Sequence, residues 1–143
     1  MNGPVLGYAV FRLTLGVNFF MHGAVRIFSG METYRGFAEG IVGGYADTIL
    51  PRWLLVPFAW SLPPIELAIG LLLIVGLFTR WALVACGLTM AMLVFGKCLT
   101  QDWGVVSSQM IYAIVVFLLL VYEKHNAIAL DSVVGGRRRI GFK

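Results

Sequence analysis

The stretch from Trp53 to Phe78 reads WLLVPFAWSLPPIELAIGLLLIVGLF and carries one charged residue, Glu66. Crossing the hydrocarbon of a bilayer takes about 20 mostly apolar residues, and this stretch is long enough. Three more stretches of the same kind flank it, at about Val5 to Ile27, Trp81 to Lys97 and Trp103 to Tyr122. None shows the alternation of period two that a barrel strand needs. Backbone polar groups inside lipid must bond within their own segment, so each stretch reads as a helix. The whole composition agrees. Of the 143 residues 59% are hydrophobic and 13% charged, and mean hydropathy is +0.87. A soluble domain is closer to 25% charged, and one of this size could not bury so much apolar surface. Disorder is excluded by the same numbers. The expected fold is an all-α integral membrane protein, a single domain over 1–143 built as a four-transmembrane-helix bundle.

The charges give the bundle an orientation. There are 11 basic and 7 acidic residues, for a net charge of +4. The basic residues do not gather on a soluble face, so nucleic acid is not an expected partner. Four spans put both termini on one side, with Arg80, Lys124, Arg137, Arg138, Arg139 and Lys143. The other side holds Arg26, Arg35, Arg52 and Lys97. The positive-inside rule then predicts cytoplasmic termini and a basic cytoplasmic tail over 123–143 that sets topology and touches anionic lipid. Trp53, Trp81, Trp103 and Tyr122 sit at span ends, where amphipathic rings favour the headgroup level. In the first outer loop Met31, Tyr34, Phe37, Ala38 and Ile41 fall at helical spacing, with Glu32, Arg35 and Glu39 between them. The spacing predicts a short interfacial helix ended by Gly43-Gly44; the alternative is a mobile loop. Pro63-Pro64 predicts a kinked second span in which the carbonyls of Ala59 and Trp60 need partners from elsewhere. Gly16, Gly23, Gly70 and Gly76 allow close helix approach. The first span lacks a small-residue cleavage site and is expected to stay in the mature protein. Cys86 and Cys98, twelve positions apart on one helix, lie about 18 Å apart, too far for a bridge.

Polar groups inside a span are costly, so each needs a reason. At 100° per residue, Arg12, Asn18, His22 and Arg26 share one sector about 120° wide. That face must look into the bundle or at a partner. Glu66 is the one acid in the middle of a span. Counted from the outer ends of their spans, Arg12 and Glu66 differ in depth by only about 3 Å, so they are expected to form an intramembrane ion pair. The pair would fix helix register or serve as a relay. His22, Gln109 and Tyr112 fall within about 7–13 Å of the outer end, beside Lys97 and Trp103. They and Arg26 are candidates for an outward pocket that could take a quinone head, with His22 able to pass a proton; otherwise they are boundary polar residues. Haem ligation by His22 with His125 is ruled out by their positions at opposite ends, and no metal-ligand cluster exists in the sequence. No flavin or Fe–S motif is present either. Ser107 and Ser108 can bond their own helix backbone.

The stretches RLTLGVNFFMHGAVRIF (Arg12–Phe28), GFAEGIVGG (Gly36–Gly44) and ELAIGLLLIVGLFTRWA (Glu66–Ala82) together resemble the DoxX family. The matching positions are Arg12, His22, Arg26, Glu66 and Arg80, over roughly the first two thirds of the chain. The fourth span departs from the family pattern, with Ser107-Ser108-Gln109 where an acidic residue is expected. The resemblance implies a four-helix protein of a bacterial or archaeal cytoplasmic membrane. It also implies membership of a respiratory or other redox complex, since named family members include small subunits of a terminal quinol oxidase and a thiosulfate:quinone oxidoreductase. The chain would contribute a quinone or quinol site and take electrons from other membrane or periplasmic subunits. The alternative is a non-catalytic accessory subunit that assembles or stabilises a larger complex. A transporter centred on Glu66 is a third reading.

Overall fold

Each of the four apolar stretches forms one helix. The computed structural model describes residues 3–139, with the side chains of 135–139 left out, so that Arg137, Arg138, Arg139 and Lys143 lie outside the described side chains. The helices are α1 (Gly3–Phe28), α2 (Met31–Gly44), α3 (Arg52–Val75), α4 (Thr79–Leu99), α5 (Trp103–Val121) and α6 (Leu130–Arg139), with a 3₁₀ turn at Glu123–His125. No strand occurs among the described residues. Helices α1, α3, α4 and α5 are each long and apolar enough to cross a membrane. The chain is an integral membrane protein in which α1 packs along α3, α3 along α4, and α4 along α5, while α1 and α5 meet only sparsely. The core between them is built from Leu15, Phe19, Ile69, Leu73, Leu83, Cys86, Val116 and Leu119.

The interfacial helix is present as α2 and ends at Gly44. It turns Tyr34, Phe37, Ala38 and Ile41 toward the bundle and leaves Glu32, Arg35 and Glu39 exposed; Met31, which shares the apolar spacing, is exposed as well. Its anchor answers a defect in α3. Pro64 has no N–H to give the carbonyl of Trp60, four residues before it. The Tyr34 hydroxyl donates to that carbonyl, and the two rings lie 4.9 Å apart. With that bond α3 runs through Pro57, Pro63 and Pro64 as one helix.

Glycines set how α1 meets α3. A Cβ on Gly23 would collide with the backbone of Pro63 and Leu67, and one on Gly70 with the backbone of Phe20; one on Gly16 would sit 3.0 Å from the Ile74 amide nitrogen. The helices touch backbone to backbone there, as small residues permit within lipid. This contact also overturns the expected ion pair. With Ile27 level with Trp53, Gly23 would face Pro57. It faces the Pro63–Leu67 turn instead, six to ten residues further on, about 9–15 Å at helical rise. The first two turns of α3 therefore run past the end of α1, against α2. Glu66 comes within reach of the Arg26 side chain and pairs with it, and Arg12 lies at the far end of α3, beside Gly76.

At that far end, the tail end, the chain after α5 folds back onto the α3–α4 turn. Gly76 and Phe78 hold left-handed conformations there (φ 71° and 49°). The Asp131 carboxylate accepts from the amides of Phe78 (2.8 Å) and Thr79 (2.7 Å) and so caps α4. The Asp131 amide donates to the Gly76 carbonyl at 2.9 Å, Asn126 Nδ2 donates to Thr79 Oγ1 at 3.1 Å, and Arg80 pairs with Glu123 at 3.1 Å. Arg12, 2% exposed, donates through Nη2 to the Ile128 carbonyl at 2.7 Å. The start of the segment expected as a plain basic tail is thus a docked structure.

Candidate functional site

At the opposite end α2 lies across the bundle and leaves beneath it a cavity of about 900 Å³. The reason for the space is compositional. Gly36, Gly40 and Gly44 succeed each other at helical spacing along α2 and line the cavity, and a Cβ on any of them would meet no atom within 4 Å. The polar row of α1 supplies another wall with Asn18, His22 and Arg26. Glu66 closes it from α3, Lys97 from α4, and Gln109 and Tyr112 from α5. All four candidate pocket residues, His22, Arg26, Gln109 and Tyr112, therefore line one cavity. Glu66 joins them through Arg26, while Arg12 is remote from it.

Arg26 organises the polar side. Nη1 donates to Glu66 Oε2, Nη2 lies 3.3 Å from His22 Nδ1, and the guanidinium carbon sits 4.1 Å from the centre of the Phe37 ring on α2. A guanidinium can only donate, so His22 Nδ1 is the acceptor and the ring proton resides on Nε2. His22 thus has one N–H left to offer. Across the cavity Asn18 Nδ2 donates to the Tyr112 hydroxyl at 3.2 Å, which leaves the Tyr112 proton free to donate elsewhere. Gln109 Oε1 is buried and has no partner among the described residues. A buried amide oxygen without a partner costs about 1–3 kcal/mol. At the rim, Lys97 Nζ binds Asp102 Oδ2 at 3.1 Å, and that bond, with the Val105 amide, holds the Asp102 carboxyl below its usual range. Burial pushes the Tyr34 phenol up, so it stays protonated as the donor to Trp60. Ser107 and Ser108 bond the carbonyls of Trp103 and Gly104.

These groups could hold an amphipathic molecule whose head bears carbonyl or hydroxyl oxygens. His22 Nε2–H and Tyr112 O–H are donors, and Gln109 offers an acceptor or, with its amide rotated, a donor. Among the described residues no three of His, Cys, Asp and Glu gather to hold a metal ion. The sequence reading missed Phe37 and the α2 glycines as cavity walls. Their signal was visible as the Gly-x-x-x-Gly spacing of α2, which leaves a helix face without side chains.

The family model of DoxX matches residues 7–97, which is 91 of 143 positions and runs from α1 almost to the end of α4. The chain belongs to the DoxX family. The matched region of this DoxX protein carries His22, Arg26, Glu66 and all of α2, whereas Gln109 and Tyr112 lie beyond it on α5. No curated protein and no solved structure matches the chain.

Proposed function

We propose that this DoxX protein is a membrane subunit of a redox complex and that its cavity binds the head of a quinone or quinol. One observation carries the reading: the hydrogen-bonding groups left free in the cavity are the donors and acceptor that such a head requires, and one of them, Gln109 Oε1, is buried and unpartnered. His22 would donate from Nε2 to one oxygen of the head, and Tyr112 and Gln109 would serve the other side. Arg26 orients His22 and is itself held by Glu66 and Phe37. A bound quinone supplies two-electron, two-proton chemistry, and a partner subunit supplies the electrons. The basic residues at the tail end, Arg80 and Lys124 among them, favour placing both termini in the cytoplasm and the cavity toward the outer face.

The test is quinone binding by the purified protein in lipid nanodiscs, with His22→Ala and Gly40→Leu. Loss of one hydrogen bond to the head costs about 1–3 kcal/mol, so His22→Ala should weaken binding about 5- to 150-fold. Gly40→Leu fills open space and should abolish binding while the fold persists. Retained affinity in both variants would remove the quinone site. If in addition His22→Ala leaves turnover of the parent complex intact while deletion of 136–143 weakens its assembly, the accessory-subunit reading takes its place.

A further inference from the structure

At the loop-helix end the cavity is bordered by α2 and the α4–α5 turn. Helix α2 lies over it, tied to α3 by Tyr34 and Trp60, and the Tyr45 ring rests against Gly96 of α4. The Lys97–Asp102 pair spans part of the rim. The flank is different. Asn18, His22 and Arg26 line the cavity and also line a separate groove of about 490 Å³ on the outside of α1, whose remaining walls are Val17, Met21 and Val25. These three apolar side chains are 48–52% exposed, and His22 is exposed with them although it lies within a span. All of its walls belong to α1, and one of them, Asn18, reaches across the sparse contact between α1 and α5 to Tyr112, the one side-chain hydrogen bond between these helices among the described residues.

An exposed imidazole at this depth is costly against lipid alone. The groove gives it a continuous companion, polar on the cavity side and apolar on the other. We infer that the α1–α5 seam is a lateral entrance through which a membrane-dissolved ligand reaches the cavity, with its head passing Asn18 and His22 and its apolar tail left along Val17, Met21 and Val25. This rests on the reading of the cavity as a quinone-head site and adds to it that the ligand is a lipid-soluble, tailed molecule arriving from the bilayer. The tail gains little from leaving lipid for the groove, since acyl chains are as apolar as the groove itself. The contribution of the seam is therefore to the rate of entry.

The experiment measures association rates in nanodiscs for two probes, a long-chain isoprenoid quinone dissolved in the lipid and the same ring without a tail added from water. Met21→Trp and Val17→Trp narrow the groove; Leu13→Trp, at an exposed position of α1 outside the groove, is the control. The groove variants should slow the long-chain quinone by about tenfold or more and leave the tail-less ring unchanged, while Leu13→Trp alters neither. Binding of both probes with no slowing in either groove variant would overturn the lateral entrance and leave the quinone site standing. Equal slowing of both probes would also overturn it, because the new side chain would then be obstructing the head site. Failure of the unaltered protein to bind either probe would overturn both readings.

Discussion

The register of α1 against α3 can be tested by asking which arginine belongs to Glu66. The Glu66 side chain is 6% exposed and that of Arg26 is 24% exposed. Breaking a buried pair by removing one partner costs about 3–5 kcal/mol in soluble proteins, because the other charge is stranded. The two halves are not equivalent here. Without Glu66, Arg26 keeps His22 and the Phe37 ring and sits two residues from the end of α1, close enough for its long stem to carry the charge to the headgroups. Without Arg26, Glu66 has no basic partner among the described residues. Arg26→Gln should therefore destabilise by about 3–5 kcal/mol, and Glu66→Gln by less. A double-mutant cycle then isolates the pair. Arg26→Gln and Glu66→Gln should couple by about 1–3 kcal/mol, and Arg12→Gln and Glu66→Gln should add within about 0.5 kcal/mol. Equilibrium unfolding in mixed detergent micelles reads both. A larger coupling for Arg12 with Glu66 than for Arg26 with Glu66 would refute the register derived from Gly16, Gly23 and Gly70.

Two further outcomes follow from the packing and one from the distribution of basic residues. Gly23→Ala and Gly70→Ala push a methyl into facing backbone and should each cost about 1–3 kcal/mol in the same unfolding assay, whereas Gly36→Ala, which meets open space, should be neutral or stabilising. Asp131→Ala removes the acceptor for the Phe78 and Thr79 amides and should cost about 1–2 kcal/mol, while Asp131→Asn, which keeps one oxygen, should cost less. A reporter active only in the cytoplasm, fused after Lys143, should be active; activity confined to an outer-compartment reporter would invert the proposed orientation.

The spans, the loop helix and the polar face of α1 were legible because each is a local pattern of hydropathy or periodicity. Tyr34 filling the carbonyl left by Pro64 was half legible: the vacancy follows from the proline alone, and the donor depends on where α2 settles. The Arg12–Glu66 pairing failed for a reason of a different kind. Depth within a span was counted from the span's own ends, and that assumes neighbouring spans start level. Nothing in hydropathy reports that Arg52–Ala59 continues as helix beyond the end of α1, because Trp53, Leu54 and Leu55 are as apolar as residues inside lipid. Asp131 was hidden for a related reason. It lies in a basic stretch outside any span, and its use as a cap depends on a chain reversal after α5.

The glycines hold the clue that hydropathy lacks. On α1 and α3 the spacing of Gly16, Gly23 and Gly70 makes contact, and a side chain there meets backbone. On α2 the spacing of Gly36, Gly40 and Gly44 makes room, and a side chain there meets nothing. The same residue therefore has opposite structural meanings, decided by whether the helix faces another helix or spans an opening. The contact glycines bring Glu66 within reach of Arg26, and Arg26 engages His22 Nδ1, so that Nε2–H is the donor left over. The spacer glycines keep open the volume that this donor shares with Gln109 and Tyr112. Filling the spacers should thus abolish the proposed binding without moving the register, and widening the contact glycines should shift the register and misdirect His22 while the volume remains. Site occupancy and helix register are separable perturbations in this fold, which is why Gly40→Leu and Gly70→Ala, read together, distinguish a cavity that binds from a bundle that merely leaves a gap.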